Sequence, residues 1–361
     1  MFDNNNHADL NMDDINASLH LEGRTLPGGW LVGPRNEHQA DAGAFSVSYP
    51  VSNEAGREGF LKVLDLVGVF GDLEALSLAV TDYLAERDLL LLCGAASMSR
   101  VVVAIDHGQV ALSGFLPPLS KVHYIIFERA DADLSDLLSK AELADVAVRL
   151  DLIHDYAVGL RQLHSREIAH QDLKPANSLV FTSASGVRDS GKIADLGRAF
   201  QSSISTSHDG LLIPGDRSFA PPEQLYGYQH PDIATRRYGA DLYQLGSLIC
   251  YTFGGATMNG LLAERLVADH HWDCFGDGYR EALPYLQDAY SSVIANLRET
   301  LPQDVAHELV GLIECLCEPE PERRGHPRAR RGLGSKYALQ RIVADLNLAA
   351  VRARSRSRTA N

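Results

Sequence analysis

The sequence has few cysteines, no long apolar run and no excess of positive charge. Its 361 residues include 5 cysteines without the spacing of a zinc site, so we expect buried thiols and a reducing cytoplasm. No apolar stretch approaches the roughly 20 residues that span a bilayer, and the acidic start is not a signal peptide. The net charge of −14 argues against binding to nucleic acids or to anionic membranes, because both need excess Lys and Arg.

The spacing of apolar residues changes from strand-like to helix-like near residue 128. Alternating or continuous apolar segments predict strands at 44–51, 60–66, 100–106 and 122–128, with a helix over 72–92. Steps of three and four predict a long helix over 145–164, and the apolar segment 241–253 predicts a buried helix. The sequence therefore predicts an α+β fold, in which a small sheet with one main helix precedes a mostly helical part.

The segment 170–177, HQDLKPAN, lies on a short loop after the long helix. Phosphoryl transfer needs a carboxylate to orient and deprotonate a hydroxyl, a cation to offset charge on the γ-phosphate, and an amide oxygen to hold a metal ion. Asp172, Lys174 and Asn177 fit these roles in that order. A chance match to so many fixed positions is remote, so this loop predicts a phosphotransfer site.

Two further motifs follow the loop. Asp195-Leu196-Gly197 ends the apolar segment KIA, and GDRSFAPPE occupies residues 215–223. Together with HQDLKPAN, they resemble the motifs of the eukaryotic-type serine/threonine protein kinases, whose D-F-G and Ala-Pro-Glu segments stand in these places. The resemblance covers about residues 30–330. The residue sequences ADADLSDLL and IAHQDLKPAN suggest a soluble bacterial branch of the family.

The resemblance implies roles for residues in the second part of the chain. Asp195 would chelate Mg²⁺ between the β- and γ-phosphates. Glu223 would form a buried ion pair with Arg324, with Arg323 as the second choice. Asp241, on the buried helix, would brace the backbone of the catalytic loop.

The resemblance also implies a nucleotide-binding lysine and its partner. Lys62 stands where the family carries the lysine that binds the α- and β-phosphates. Glu86 on the following helix is expected to pair with Lys62, and Glu74 is the competing choice.

The glycine-rich loop and the hinge complete the expected nucleotide site. In DAGAFSVSY, Gly43 alone remains of the family's glycines, and Asp41 would repel phosphate. Phe127 and Glu128 resemble the gatekeeper and the hinge, where backbone groups hold the adenine.

The implied fold is the two-lobed kinase-like α+β fold, with an antiparallel-sheet lobe, a mostly helical lobe and nucleotide in the cleft between them. The expected organisation is an acidic disordered tail at 1–25, the first lobe at 26–128, the second at 129–334, and a C-terminal helix with a basic tail at 335–361.

The expected function is that of a cytoplasmic serine/threonine protein kinase, which uses ATP and Mg²⁺ to phosphorylate Ser or Thr of a protein substrate. Two alternatives stay open. One is a pseudokinase that binds or scaffolds without chemistry, which would agree with the single glycine in the phosphate-covering loop. The other is a small-molecule kinase of the aminoglycoside phosphotransferase type, which normally lacks the Leu-Lys-Pro insert and the Ala-Pro-Glu segment.

Gln171 departs from the pattern of many kinases, in which an Arg before the catalytic Asp binds a phosphate on the activation loop. A neutral Gln cannot make that charge-assisted, bidentate contact. We therefore expect activity that is not gated by activation-loop phosphorylation. Order in that loop would come from its own packing, through Arg198 or Arg217, or from a regulatory partner protein.

Overall fold

The computed structural model describes residues 15–35, 46–140, 145–182, 190–276 and 278–360, and for 357–360 it describes the backbone alone. The chain divides into two compact units. Unit 1 comprises Met1–Ala96 and Val102–Arg129, and unit 2 comprises Ser97–Val101 and Ala130–Asn361.

Unit 1 contains an antiparallel sheet and one long helix, α1. The strands are β1 Thr25–Leu26, β2 Trp30–Val32, β3 Ser46–Asn53, β4 Glu58–Leu64, β5 Ala104–Ala111 and β6 Lys121–Glu128, and α1 is Leu73–Ala95. Their order in the sheet is β1-β2-β3-β4-β6-β5. Alternation explains the burial of β4, where Leu61 and Val63 are inaccessible while Lys62 between them is half-buried.

Helix α1 begins where the side chain of Asp72 accepts hydrogen bonds from the backbone N–H groups of Glu74 and Ala75, each at 3.0 Å. Its last turns are apolar and buried at Leu89 and Leu90. The buried face of the helix also carries one acidic side chain, Glu86, which requires a polar partner.

Residues 15–25 differ from the predicted disordered tail. Ala17 and Leu21 are fully buried in the core cluster of the sheet. The Tyr49 hydroxyl donates a hydrogen bond of 2.7 Å to the carbonyl of Ser18. A few apolar residues are enough to anchor this part of the segment in the core, which its polar composition did not reveal; residues 1–14 of the predicted tail lie outside the described residues.

Unit 2 is mostly helical and carries short strand pairs. Its helices are α2 Leu134–Ser139, α3 Val146–His164, α4 Pro222–Leu225, α5 Ile233–Gly254, α6 Met258–Ala263, α7 Tyr279–Thr300, α8 Ala306–Leu316, α9 Pro327–Arg330 and α10 Gln340–Ala360. Its strands are β7 Ala132–Asp133, β8 Ile168–Ala169, β9 Ser178–Phe181, β10 Ser190–Ile193 and β11 Phe200–Gln201. Strand β9 pairs with β7 and β10, and β8 pairs with β11. These two units confirm the predicted α+β class, with an antiparallel-sheet unit and a mostly helical one.

Helix α5 forms the centre of unit 2 and is longer than the sequence predicted. The expected helix covered 241–253, whereas α5 begins after Asp232, whose side chain accepts a hydrogen bond of 2.8 Å from the N–H of Thr235. The early turns bury Thr235 and Arg237. Hydrophobic spacing does not reveal such turns, because their buried residues are polar.

Helix α10 also includes residues 352–358, which were predicted to form a solvated basic tail after a C-terminal helix. Its apolar residues Ile342, Leu346 and Ala349 are inaccessible to solvent, and the helix packs on α3. Its basic residues have acidic partners in unit 2: Arg352 lies 2.8 Å from Glu308, and Arg354 pairs with Asp151. Among the described helices, none combines the length and apolarity needed to cross a bilayer.

Candidate active site

Asp241 of helix α5 holds the backbone of the predicted catalytic loop. One carboxylate oxygen accepts the N–H of Gln171 and the other accepts the N–H of His170, both at 2.8 Å. His164 lies 2.8 Å from the second oxygen. Burial would raise the pKa of Asp241, but the hydrogen bond and charge of His164 outweigh burial and hold that pKa below its ordinary value. The bracing role expected for Asp241 is confirmed.

Gln244, one turn further along α5, fastens the same loop. Its side-chain oxygen accepts the N–H of Leu173 at 3.0 Å, and its NH₂ donates to the carbonyl of Gln171 at 2.8 Å. Sequence reasoning missed Gln244, although its place three residues after Asp241, on the same face of a helix, was a usable signal. The loop is therefore fixed from one side by a single helix.

His170 links this loop to the strand that precedes Asp195. Its Nδ1 accepts the N–H of Asp172 at 3.2 Å, so its Nε2 is the donor to the carbonyl of Ala194 at 3.0 Å. His170 is fully buried. The two acidic residues predicted to act together are thus tied through one imidazole.

The Asp172 carboxylate is buried and surrounded by donors. Its Oδ1 accepts the N–H of Asp216 at 2.7 Å. Its Oδ2 accepts Asn177 Nδ2 at 3.0 Å and lies 3.2 Å from the Lys174 ammonium. Burial raises the pKa of Asp172 above its ordinary value, whereas Lys174 lowers it in part. Each carboxylate oxygen has two lone pairs, so Oδ1, with one described donor, retains an acceptor position for a hydroxyl.

Asn177 and Asp195 offer the oxygen ligands that a magnesium ion prefers. The side-chain NH₂ of Asn177 donates to the backbone and side chain of Asp172, at 2.8 and 3.0 Å, which leaves the side-chain oxygen Oδ1 for a metal. The N–H of Ala194 donates to the backbone carbonyl of Asn177 at 2.9 Å, which brings the two segments together. Asp195 has a φ of 63°. One amide and one carboxylate suit Mg²⁺, which keeps several waters and takes phosphate oxygens as further ligands.

Gly215 and Asp216 are site residues that sequence reasoning did not single out. A Cβ on Gly215 would lie 2.3 Å from the Gln171 carbonyl and 2.7 Å from Asp172 Oδ1, so only glycine fits. The Asp216 carboxylate lies 3.6 Å from Lys174. Burial would lower the pKa of Lys174, but Asp172 and Asp216 outweigh it and raise that pKa. Lys174 therefore stays charged between two carboxylates.

Glu223 forms the buried ion pair that the resemblance implied. Arg324 donates from both terminal nitrogens to the two Glu223 oxygens, each at 2.9 Å, and is inaccessible to solvent. Arg323, the second choice, instead lies 3.5 Å from Glu320 on the surface. The choice of Arg324 is confirmed.

In unit 1, the structure brings Lys62 and Glu86 together. The Lys62 ammonium lies 2.9 and 3.1 Å from the two Glu86 oxygens, and the Glu86 side chain is only 7% exposed. Glu74, the competing choice, lies in the first turn of α1 and is exposed. A buried carboxylate stays ionised only with such a partner, so the pair explains the acidic residue on the apolar face of α1.

The remaining residues of the expected nucleotide site also belong to unit 1. Glu128 ends β6; its N–H donates to the Val103 carbonyl at 3.1 Å, and its side chain accepts the Val103 N–H at 2.8 Å. Phe127 is buried. Gly43 and Asp41, predicted for the phosphate-covering loop, lie outside the described residues.

A family model described as the protein kinase domain matches residues 96–331. This chain belongs to the protein kinase family. The recognition made from the motifs is thereby confirmed, whereas the bacterial branch stays a prediction. The match contains the Asp172 loop, Asp195 and the Glu223–Arg324 pair, while Lys62 and Glu86 precede it.

The kinase is similar to several curated proteins over part of its length. An Aurora kinase of Debaryomyces hansenii is 27% identical over 180 residues, 49% of this chain and 41% of the relative. Cell division control protein 2 homolog 3 of Trypanosoma brucei brucei is 39% identical over 111 residues, 30% of this chain and 33% of the relative. A serine/threonine-protein kinase/endoribonuclease of Oryza sativa subsp. japonica is 29% identical over 223 residues, 56% and 21% respectively.

The chain thus spans well under two thirds of the length of these relatives, 41%, 33% and 21% in turn. Phosphorylation of proteins with ATP and a divalent metal ion is typical of this family, and for this chain that activity is proposed below. Specificity for Ser or Thr, the identity of the metal and the mode of control belong to the proposals that follow.

Proposed function

We propose that this kinase transfers the γ-phosphate of Mg²⁺-bound ATP to Ser or Thr hydroxyls of a protein substrate. The proposal rests on one observation above all: the Asp172 carboxylate is oriented by Asn177, Lys174 and the N–H of Asp216, and its Oδ1 retains an acceptor position. A hydroxyl that donates to this oxygen is aligned for attack and loses its proton to Asp172.

The other residues have assigned roles in the same reaction. Lys174 offsets charge on the γ-phosphate, while Asn177 and Asp195 hold Mg²⁺ through oxygen atoms. Lys62, kept in place by Glu86, binds the α- and β-phosphates. The backbone at Glu128 and the loop at Gly43 are proposed to contact the adenine and the phosphates. When bound, the metal ion neutralises charge that develops on the transferred phosphoryl group.

The test compares wild type with Asp172→Asn, using radiolabelled ATP, Mg²⁺ and a generic protein acceptor. We expect transfer by the wild type, phosphoserine or phosphothreonine in the acid hydrolysate, and a rate loss of about 10²–10⁴ in the variant. Phosphotyrosine would contradict the proposed specificity. Nucleotide binding without any transfer would favour a pseudokinase, and transfer to an aminoglycoside but not to protein would favour the small-molecule alternative.

We also propose that phosphorylation of the activation loop does not control this activity. Support comes from Gln171, a neutral residue whose side chain is occupied within the protein, since its NH₂ donates to the Arg237 carbonyl and to Asp241. Replacing the loop hydroxyls by Ala and treating the wild type with phosphatase should each change the initial rate less than about tenfold, or ~1.4 kcal/mol in barrier. The hydroxyl residues are Ser202, Ser203, Ser205, Thr206 and Ser207.

A larger loss in either experiment would show control by phosphate. A cytoplasmic location and a regulatory partner protein remain predictions from the sequence.

A further inference from the structure

Arg237, in the first turns of helix α5, is a buried cation that the reaction itself does not use. Only 2% of the surface of Arg237 is exposed to solvent. Placing a guanidinium out of water is costly unless its donors find acceptors. The contacts that Arg237 makes therefore indicate what this charge is for.

The guanidinium of Arg237 contacts three separate parts of unit 2. One terminal nitrogen donates to the side-chain oxygen of Gln171 at 3.2 Å. The other donates to the backbone carbonyl of Asp209 at 2.5 Å. The planar group also lies over the ring of Phe200, 4.7 Å from its centroid, at a distance suited to a cation–π contact.

These contacts connect the catalytic loop with the segment after Asp195-Leu196-Gly197. Gln171 precedes Asp172 and has a φ of 67°, in the left-handed region. Phe200 begins the segment 200–211, where β11 pairs with β8, and Asp209 lies near its end. One planar side chain thus joins the loop to both ends of segment 200–211, and only a fork of several donors can do so.

The two arginines that the sequence suggested for ordering the activation loop, Arg198 and Arg217, do not contact Gln171 in the described structure. Arg198 lies 3.3 Å from Nδ1 of His208, and Arg217 lies 2.6 Å from Asp273 on the surface. Arg237 reaches Gln171 instead, from a helix rather than from the loop. Its acceptors are neutral oxygens of an amide and of the backbone, so the contact requires no added phosphate.

We propose that Arg237 is a positioning residue that holds segment 200–211 to the catalytic loop permanently, in the place of a phosphate-dependent contact. The inference rests on the proposed function, because the loop it orders carries Asp172. It also extends that function, since it assigns the order of the segment to one residue outside the motifs.

Phosphate on the segment should then oppose order instead of producing it. The Thr206 hydroxyl donates to the Asp209 carboxylate at 2.9 Å, and its N–H donates to the same group at 3.0 Å. A negative charge on Thr206 would face that carboxylate and loosen the turn whose carbonyl binds Arg237. Thr206→Glu should therefore leave the rate unchanged or lower it, and a rate increase would overturn the proposal.

The main experiment compares Arg237→Met and Arg237→Lys with the matched control Arg236→Met, the same change at the adjacent position of α5. Two assays use the full chain. The first measures kcat and the KM for ATP with a generic protein acceptor, and the second measures the rate at which thermolysin cleaves before Ile204 or Leu211. For Arg237→Met we expect kcat to fall more than tenfold, KM for ATP to change less than threefold, and cleavage to accelerate more than tenfold. The control should stay within about twofold of wild type in each.

Arg237→Lys keeps the charge and the apolar stem, but a single ammonium cannot reach both Gln171 and Asp209. It should therefore resemble Arg237→Met, and it decides the question if the Met variant fails to fold. Wild-type kcat and wild-type cleavage rates in both variants would overturn the proposal. If the wild type transfers no phosphate, the proposed function fails, while the cleavage rates still test the anchor independently.

An exchange of the two residues tests whether they act together. Gln171→Arg alone places two guanidinium groups in one buried site and should lower kcat strongly. The double variant Gln171→Arg/Arg237→Gln keeps one guanidinium and one amide in contact, so it should recover at least threefold in kcat over Gln171→Arg. No recovery, together with unchanged thermolysin resistance in all variants, would show that the two side chains are not coupled.

Discussion

Removal of Arg324 should destabilise unit 2 far more than removal of its neighbour in the sequence. Arg324 is inaccessible to solvent, forms two hydrogen bonds of 2.9 Å with Glu223, and donates to the backbone carbonyl of Gly239 at 3.0 Å. Arg324→Met leaves the Glu223 carboxylate buried without its partner, which typically costs about 3–5 kcal/mol. For a unit of this size, that loss corresponds to a fall of roughly 6–20 °C in Tm.

Arg323 provides the matched control. Its side chain is 58% exposed and lies 3.5 Å from Glu320, and exposed pairs contribute about 0–1 kcal/mol. Arg323→Met should therefore shift Tm by no more than about 4 °C. Equal shifts for the two variants would refute the claim that the buried pair stabilises unit 2.

Trp272 offers a fluorescence probe for this measurement. The chain has 2 tryptophans, and the ring of Trp272 lies 6.3 Å from that of Tyr226, next to the helix that carries Glu223. Thermal and urea unfolding would be followed in a Trp30→Phe background, so that only unit 2 is reported. A double variant, Glu223→Met with Arg324→Met, should lose less than the sum of the single losses, because it leaves no unpaired charge.

Three further predictions concern activity and packing. Lys174→Met should move the acid limb of the kcat–pH profile to higher pH, because Lys174 lowers the pKa of Asp172 and the carboxylate must be ionised to accept a proton; an unmoved limb would contradict it. Lys62→Met should sharply reduce turnover at fixed ATP and also lower Tm, because it leaves the buried Glu86 carboxylate without its ammonium partner, and full turnover would exclude Lys62 from phosphate binding. Leu346→Ala should cost about 2–5 kcal/mol in urea unfolding, whereas Leu348→Ala, at a position 47% exposed, should cost far less; similar losses would mean that α10 is not docked.

The parts of the protein that were predictable from the sequence depend on short separations along the chain. Asp172 and Asn177 are five residues apart, and their hydrogen bond at 3.0 Å forms within one loop. Strand β4 follows from two-residue periodicity and helix α3 from three-to-four-residue periodicity, whereas β6 follows from a continuous apolar segment that is buried on both sides. Lys62 and Glu86 were paired through the family resemblance and not from spacing alone.

Contacts between distant segments were decided only by the tertiary structure. Gln171 and Arg237 are separated by 66 residues, and no local pattern relates them. Helix α5 begins at Ile233, eight residues before the predicted helix, because the buried side chains of its first turns are polar and leave no apolar period. Residues 352–358 were predicted to form a basic tail, yet they continue helix α10: Arg352 and Arg354 find acidic partners on α8 and α3, and these partners exist only once the helices have packed. A sequence specifies which side chains require a partner, whereas the packing of helices and loops decides which partner each one meets.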